Sequence, residues 1–584
     1  MLVIRRTRTL AGFLLALIVG AGGARGEAPR KPEALLLVDD GARLLAANRG
    51  TGTVAVVSVE SRAVEEEAAI GRGLCDLDAT ADPDVWLAVD RDAGEVVRFG
   101  RRAGALARLD AVRVADDPTS AVVYGDGRRA LVLSRWSRKA TFVEWEHSAP
   151  RVVGEVDLTF SPREAVVLPG GSEALATDAF GGRLALLDLK DMIVRRVWRL
   201  PDHNLRAPTL TPDGEGVAIL AQNAAPSATT SRQDVEWGVV MRSWIRNVRL
   251  DDLRSAETTD ADLVANSRIR VLGTVGRGSA DPSALAFGPK GEVVVAIAGT
   301  DQVASALSLD EPYERFQVGR APVALAIDAE AAVAYTADMF DDAVTVVNLA
   351  DSKVAGVVSL SADAAIDGRR RPATLLEEGE SLFRNAVLSE GGWMSCHTCH
   401  ADGHASEVLT DTMTDGSYGA AKRSPSLLGI ADTAPYGWTG ASRRIEDQIH
   451  TSLTTTMRAH EPSPRQMAAL VAYLDSLAPP KPDPVADPAA AARGLAVFQA
   501  NDCAECHAPP TYTSAESRDV GLIDAVGNRK FNPPSLRGVG RRPALLHDAS
   551  ATSLSDLFDR VRHPDGIRLT DDEIADLIAF LQSL

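Results

Sequence analysis

Two pentapeptides, Cys396-His397-Thr398-Cys399-His400 and Cys503-Ala504-Glu505-Cys506-His507, decide how the C-terminal part of this chain is read. C-x-x-C-H is the attachment signature of c-type haem. The two thiols add to the haem vinyl groups, and the adjacent histidine is placed to bind iron from the proximal face. Cys396, Cys399 and His400 are therefore assigned to one haem, and Cys503, Cys506 and His507 to a second. A redox C-x-x-C pair and a zinc site are the alternatives. Either needs the following histidine twice by coincidence, and neither predicts the repeat that surrounds the motifs.

That repeat is a pair of helical units. Segments 396–477 and 503–584 run the same distance from first motif cysteine to last helix residue. The closing helices, predicted over 463–477 and 570–584, carry Met467, Leu470, Val471, Leu474 and Ile574, Leu577, Ile578, Leu581. That is i, i+3, i+4, i+7 spacing, one apolar face of a helix. Thr570 with Glu573 forms a capping box. Each opening helix holds a glycine four residues before a phenylalanine, Gly379 with Phe383 and Gly494 with Phe498. A glycine there lets two helices cross closely, with the aromatic against Tyr473 or Phe580. These are two tandem all-α class I cytochrome c-like domains, 375–478 and 489–584. The Pro-rich linker 479–488 (Pro479-Pro480-Lys481-Pro482-Asp483-Pro484) separates them.

Upstream, 32–360 is predicted to be an array of short strands. Segments 32–70, 162–200 and 322–360 align without gaps, each opening on proline and running through apolar strands such as Leu184-Ala185-Leu186-Leu187 and Val344-Thr345-Val346-Val347. A repeat of about 40 residues with four strands is the mark of a β-propeller blade, and about seven fit. The fifth is too long. Its extra segment, about 223–270, holds Trp237, Arg242, Trp244 and Arg246 and reads as a lid, a docking element or a plain surface loop. Segment 361–374 reads as a linker.

Residues 1–26 read as a secretory signal peptide: basic Arg5, Arg6 and Arg8, an apolar stretch from Leu10 to Val19, then small residues. Arg5-Arg6 has poor flanks for twin-arginine export, so the general route is expected. No cysteine lies near the cleavage region, which argues against a lipid anchor, and no later stretch is long and apolar enough to span a bilayer. A periplasmic location is expected first, with secretion or the cell surface as alternatives. The formal net charge of -18 argues against nucleic acid and anionic membranes. It leaves a redox partner protein or a small-molecule oxidant as partners. Cys75, outside both motifs, reads as a buried thiol.

The far side of each iron decides function. A methionine or histidine ligand makes an electron carrier, and an open site permits peroxide chemistry. No methionine follows Met467, so the second haem has none from its own domain. His563 is its first candidate and His547 its second. Met457 occupies nearly the corresponding place in the first unit, with His460 and an open site as competitors. Met467 reads as core, His397 as motif filler, and His404 and His450 as surface side chains.

The propeller region resembles exported seven-bladed propellers with "YVTN"-type repeats, nearest at Ala334-Tyr335-Thr336-Ala337. Residues 375–584 resemble bacterial di-haem cytochrome c peroxidases and the related enzyme that matures methylamine dehydrogenase. The resemblance is carried by Arg423-Ser424-Pro425-Ser426-Leu427 and Pro435-Tyr436-Gly437-Trp438-Thr439-Gly440 in the first unit. In the second it is carried by Phe531-Asn532-Pro533-Pro534-Ser535-Leu536-Arg537-Gly538-Val539 and His547-Asp548. It implies an inter-haem tryptophan, to which Trp438 corresponds, and a calcium ion between the haem domains, to which no acidic cluster in the sequence points. Two departures stand out. The stretch expected to hold a distal glutamate reads Thr454-Thr455-Thr456-Met457, and the loop 415–420 has no histidine to act as a switchable ligand. Peroxide-dependent oxidation at the first haem with the second as relay is one expected function. A non-catalytic electron carrier with the propeller as docking or ligand-binding module is the alternative. A third reading makes the propeller a ligand binder with the haems as sensors.

Overall fold

The computed structural model describes residues 28–145, 149–328, 330, 332–365, 367–372, 374–413, 415–482, 485–542 and 544–584. The expected signal peptide lies outside the described residues.

Residues 32–359 form seven four-stranded antiparallel sheets, each a meander. The first strands pack side by side around a ring, and Pro32–Val38 closes it against Pro322–Asp328. Five of those strands open on proline (Pro32, Pro118, Pro162, Pro282, Pro322). A strand's first residue need not donate to the ladder, so proline is tolerated there. Second strands such as Glu173–Asp178 are buried throughout because neighbouring blades cover both faces. Outer strands such as Ala63–Ala69 face water and carry Glu65, Glu66 and Glu67. The ring is latched where Asp342 accepts the backbone N–H groups of Arg30 (3.0 Å) and Lys31 (2.9 Å). Cys75 is buried here, and burial pushes its thiol up to about 12.

The fifth sheet corrects the reading of 223–270 as one insertion. Arg242, Trp244 and Arg246 lie in its third strand, Met241–Arg249. The inserted parts are 225–240, with the short helix Arg232–Glu236, and the helices Leu250–Arg254 and Asp260–Asn266 before the fourth strand. Segment 225–240 is a docking element within the chain. Val235 and Val240 share one apolar cluster with Phe383, Met394 and Met457.

Two similar helical units follow. In the first, Leu375–Arg384 crosses Pro464–Ser476; in the second, Pro488–Ala500 crosses Asp571–Gln582. A Cβ on Gly379 would lie 1.9 Å from the carbonyl oxygen of Ala469, and one on Gly494 1.9 Å from that of Asp576. Only glycine permits so close a crossing. Phe383 packs on Tyr473 (5.0 Å between centroids) and Phe498 on Phe580 (5.3 Å), as expected from the sequence. No helix among the described residues is long and apolar enough to cross a membrane.

Candidate functional site

Each cytochrome unit holds one extended, mainly apolar cleft. Cys396, Cys399 and His400 line the first; Cys503, Cys506 and His507 line the second. The first motif is a short helix, Cys396–Cys399, capped by Ser395. Each motif histidine turns Nδ1 toward a backbone carbonyl: His400 toward His404 (3.4 Å) and His507 toward Tyr512 (3.0 Å). That bond puts the proton on Nδ1 and leaves the Nε2 lone pair free, as metal-binding histidines require. Burial holds both imidazoles down at about 4, so they are neutral.

The opposite walls hold the distal candidates. Met457 is buried and lines the first cleft; His563 lines the second with Nδ1 buried and, among the described residues, unpartnered. Both follow a π-helical turn, Ser452–Thr456 or Leu557–Val561, a feature frequent at functional sites and invisible in the sequence. The register differs by two residues. His563 N–H donates to Leu557 and Ala459 N–H to Leu453, each across six residues, so Ala459 is the backbone counterpart of His563. His547 lines the second cleft, stacked on Phe531 at 4.3 Å between ring centroids. His460 is exposed. No carboxylate lines the first cleft among the described residues; Gln448, Ser452, Thr410, Thr412 and Thr456 line it, together with the cations Lys422 and Arg423 and the phenol Tyr436.

Trp438 and Arg423 are the two residues that line both clefts. The Trp438 indole N–H donates to the Arg423 carbonyl at 2.6 Å, and the Arg423 guanidinium lies 5.7 Å from the indole centroid. The second unit grips the same loop: Asn532 N–H donates to the Trp438 carbonyl (2.7 Å) and its amide to Pro435 (2.6 Å). Arg542, which lines the second cleft, donates to the Ser535 carbonyl at 2.7 Å. Among the described residues neither Arg423 nor Arg542 meets a carboxylate at ion-pair distance. Burial lowers them to about 10 and about 9, and Arg423 adds to the effect on Arg542. Such enclosed cations call for an anion. A haem, with iron for the histidine and two carboxylates for the arginines, fits this donor set. Sequence reasoning missed Arg542 and the role of Arg423, because a missing counter-ion is a property of the packed structure.

The propeller reaches the first motif directly. Asp281, before the sixth blade's first strand, accepts from Ser395 Oγ (2.5 Å) and Thr398 Oγ1 (3.1 Å) and lies 3.4 Å from His397 Nδ1. His397 Nε2 lies 3.4 Å from Asp402, which pairs with the blade arginines Arg135 (2.6 Å) and Arg163 (2.7 Å). His397 is thus a buried bridge rather than filler. His404 is not a surface side chain either; it is buried against Phe180 and Trp136. His450 is half exposed and pairs with Glu461. Met467 packs on the first unit's core.

The calcium implied by resemblance has no carboxylate cluster to hold it among the described residues where the units meet. No group of three or more His, Cys, Asp or Glu among the described residues forms a metal site, and Lys422 Nζ already occupies the space between Asp415 and Asp524.

Residues 374–479 match the family model for di-haem cytochrome c peroxidase, and 491–584 that for cytochrome c. The methylamine utilization protein MauG of Methylophilus methylotrophus is 25% identical over 274 residues, covering 35% of this chain and 81% of that protein. Its namesake from Methylorubrum extorquens is 25% identical over 270 residues, covering 35% and 76%. A solved structure of Kuenenia stuttgartiensis hydrazine synthase superposes with a TM-score of 0.48 and 16% identity, covering 58% of this chain and 99% of that one. The chain is therefore a seven-bladed β-propeller joined to a tandem of the di-haem cytochrome c peroxidase and cytochrome c kinds, a redox protein with an electron-transfer function.

Proposed function

We propose that this protein is a di-haem oxidoreductase in which the first cleft is the reaction site, the second is the relay, and Trp438 carries electrons between them. One observation carries the reading: Trp438 stands in the wall common to both clefts. Haem, when bound, supplies one-electron redox chemistry. Cys396, Cys399, Cys503 and Cys506 would hold it by thioether bonds, and His400 and His507 would bind iron. Arg423 and Arg542 would neutralise the haem carboxylates, and His563 would close the second iron. The apolar walls exclude water. Peroxide is the proposed oxidant at the first cleft and a redox partner protein the source of electrons at the second. The signal-like N-terminus supports export to the periplasm, where haem attachment takes place.

A second reading, a non-catalytic electron carrier, is favoured by one specific observation. Met457 lines the first cleft and, among the described residues, no carboxylate does, so no carboxyl group stands ready to move a proton there. Low-temperature EPR and visible spectra of the oxidised and half-reduced protein, before and after peroxide, separate the two. A high-spin signal that peroxide consumes supports the oxidoreductase. Two low-spin signals indifferent to peroxide in both redox states establish the carrier.

A further inference from the structure

Lys422 joins the two cytochrome units through one ammonium group. Its Nζ lies 2.5 Å from Asp415 Oδ2 in the first unit and 2.9 Å from Asp524 Oδ2 in the second, and donates to the Ala420 carbonyl at 3.1 Å. An ammonium has three N–H donors, and all three are used. The side chains of Lys422, Asp415 and Asp524 are only 11%, 7% and 3% exposed. Each carboxylate is itself held in place. Asp415 accepts from Ser417 N–H (3.1 Å) and Oγ (3.2 Å); Asp524 accepts from Asn528 N–H (2.8 Å) and Nδ2 (2.9 Å). The loops that carry them touch, since a Cβ on Gly419 would lie 3.3 Å from Val526.

The neighbouring residue connects this ion pair to the relay. Arg423 N–H donates to the His547 carbonyl of the second unit at 2.7 Å, and the Arg423 carbonyl receives the Trp438 indole. The two-residue strand Lys422–Arg423 therefore holds the second unit by a buried salt bridge on one side and Trp438 by a hydrogen bond on the other.

We propose that Lys422 is the buried interdomain cation beside the relay, apart from the Arg537–Asp432 pair (2.6 Å) at another point of the boundary: its ammonium, with no bound divalent ion, holds the two units in the register that puts Trp438 between their clefts. Calcium takes six to eight oxygen ligands. Here the carboxylates that face each other across the boundary already share an ammonium, and calcium would have to expel it. Lys422 is a positioning residue, acting through Arg423 and Trp438, and its role deepens the di-haem reading above.

The test uses the full-length holoprotein, wild type, Lys422→Gln, Lys422→Arg and Asp524→Asn. Haem content is measured first. Fewer than two haems in the wild type would overturn the di-haem reading itself, independently of Lys422. With two haems present, exhaustive EDTA treatment should leave the midpoint potentials and the rate of electron redistribution between haems unchanged, and calcium titration should show no binding. Lys422→Gln and Asp524→Asn should slow redistribution about tenfold or more through misplacement of the relay, with Lys422→Arg retaining most of the wild-type rate. A chelator-induced change restored by calcium would overturn the proposal. So would a Lys422→Gln protein that only melts at a lower temperature while redistribution and potentials stay at wild-type values. The chelator experiment stands even if a variant fails to fold.

Discussion

The indole N–H of Trp438 donates to the backbone carbonyl of Arg423 at 2.6 Å, and these two residues form the wall common to both clefts. The bond fixes the ring plane, and the Asn532 contacts to the same loop come from the second unit. Trp438→Phe removes the donor and narrows the aromatic surface without adding bulk. Electron redistribution between the haems in the half-reduced protein should slow by at least tenfold, read by rapid-mixing absorption. Haem content should stay at the wild-type level. An unchanged rate would remove Trp438 from the relay.

Arg423 and Arg542 are enclosed cations with no carboxylate partner among the described residues. A positive charge beside a redox centre favours its reduced form. Arg542→Gln should therefore lower the midpoint potential of the second haem, and Arg423→Gln should lower both, because Arg423 lines both clefts. Spectroelectrochemical titration checks this, and Arg→Lys should restore part of the shift. Potentials that do not move would show that the arginines do not face the haems.

Asp402 ties the propeller to the first cytochrome unit through Arg135 and Arg163, with His397 alongside. Asp402→Ala leaves two nearly buried guanidiniums without that carboxylate, a loss worth about 3–5 kcal/mol in such pairs. Calorimetry should show the propeller and cytochrome transitions further apart, or shifted down, relative to wild type, and segment 361–374 should become the first site of proteolysis. Unshifted transitions would assign the docking to the remaining contacts, Asp281 with Ser395 and Thr398 and Arg183 with Glu407.

Asp338 sits fully buried in the seventh blade, accepting from Thr336 Oγ1 at 2.8 Å and from Thr345 Oγ1. Burial, helped by nearby Asp341, pushes its carboxyl up to about 7 against those two bonds. Between about pH 4 and 7 the folded protein keeps a proton that the unfolded chain has released. This group's contribution to stability therefore falls as pH rises through that window, by roughly 4 kcal/mol in all. Asp338→Asn has no proton to lose, and its amide can still serve both rotatable hydroxyls. Denaturant unfolding should find the variant close to wild type at pH 4 and more stable at pH 7.5, with a flatter pH slope. Parallel pH profiles would show that the carboxyl is not protonated in the native state.

Glycines at 379 and 494 illustrate how much was legible beforehand. Their spacing from Phe383 and Phe498, repeated in two units, predicted the helix crossing that the backbone shows. Blade periodicity likewise foretold seven sheets. The fifth blade was misread because helices inserted before and after its third strand break the blade's regular period, which hid Trp244 and Arg246 in Met241–Arg249. His404 was misread because nothing local marks it as buried; Trp136 and Phe180, which cover it, come from the propeller.

By itself the sequence determined the local chemistry: two C-x-x-C-H motifs, paired helices and strand repeats. Short-range spacing dictates all of these. Only the tertiary structure decided what stands between and around the clefts. Asp281 and Ser395 are 114 residues apart, and Asn204 reaches Thr398 across 194. Trp438 lies between the clefts because Arg423 and Asn532 hold its loop from two units. Charges without counter-ions, and the ammonium of Lys422 between two carboxylates, become visible only when folding removes water from groups far apart in the chain.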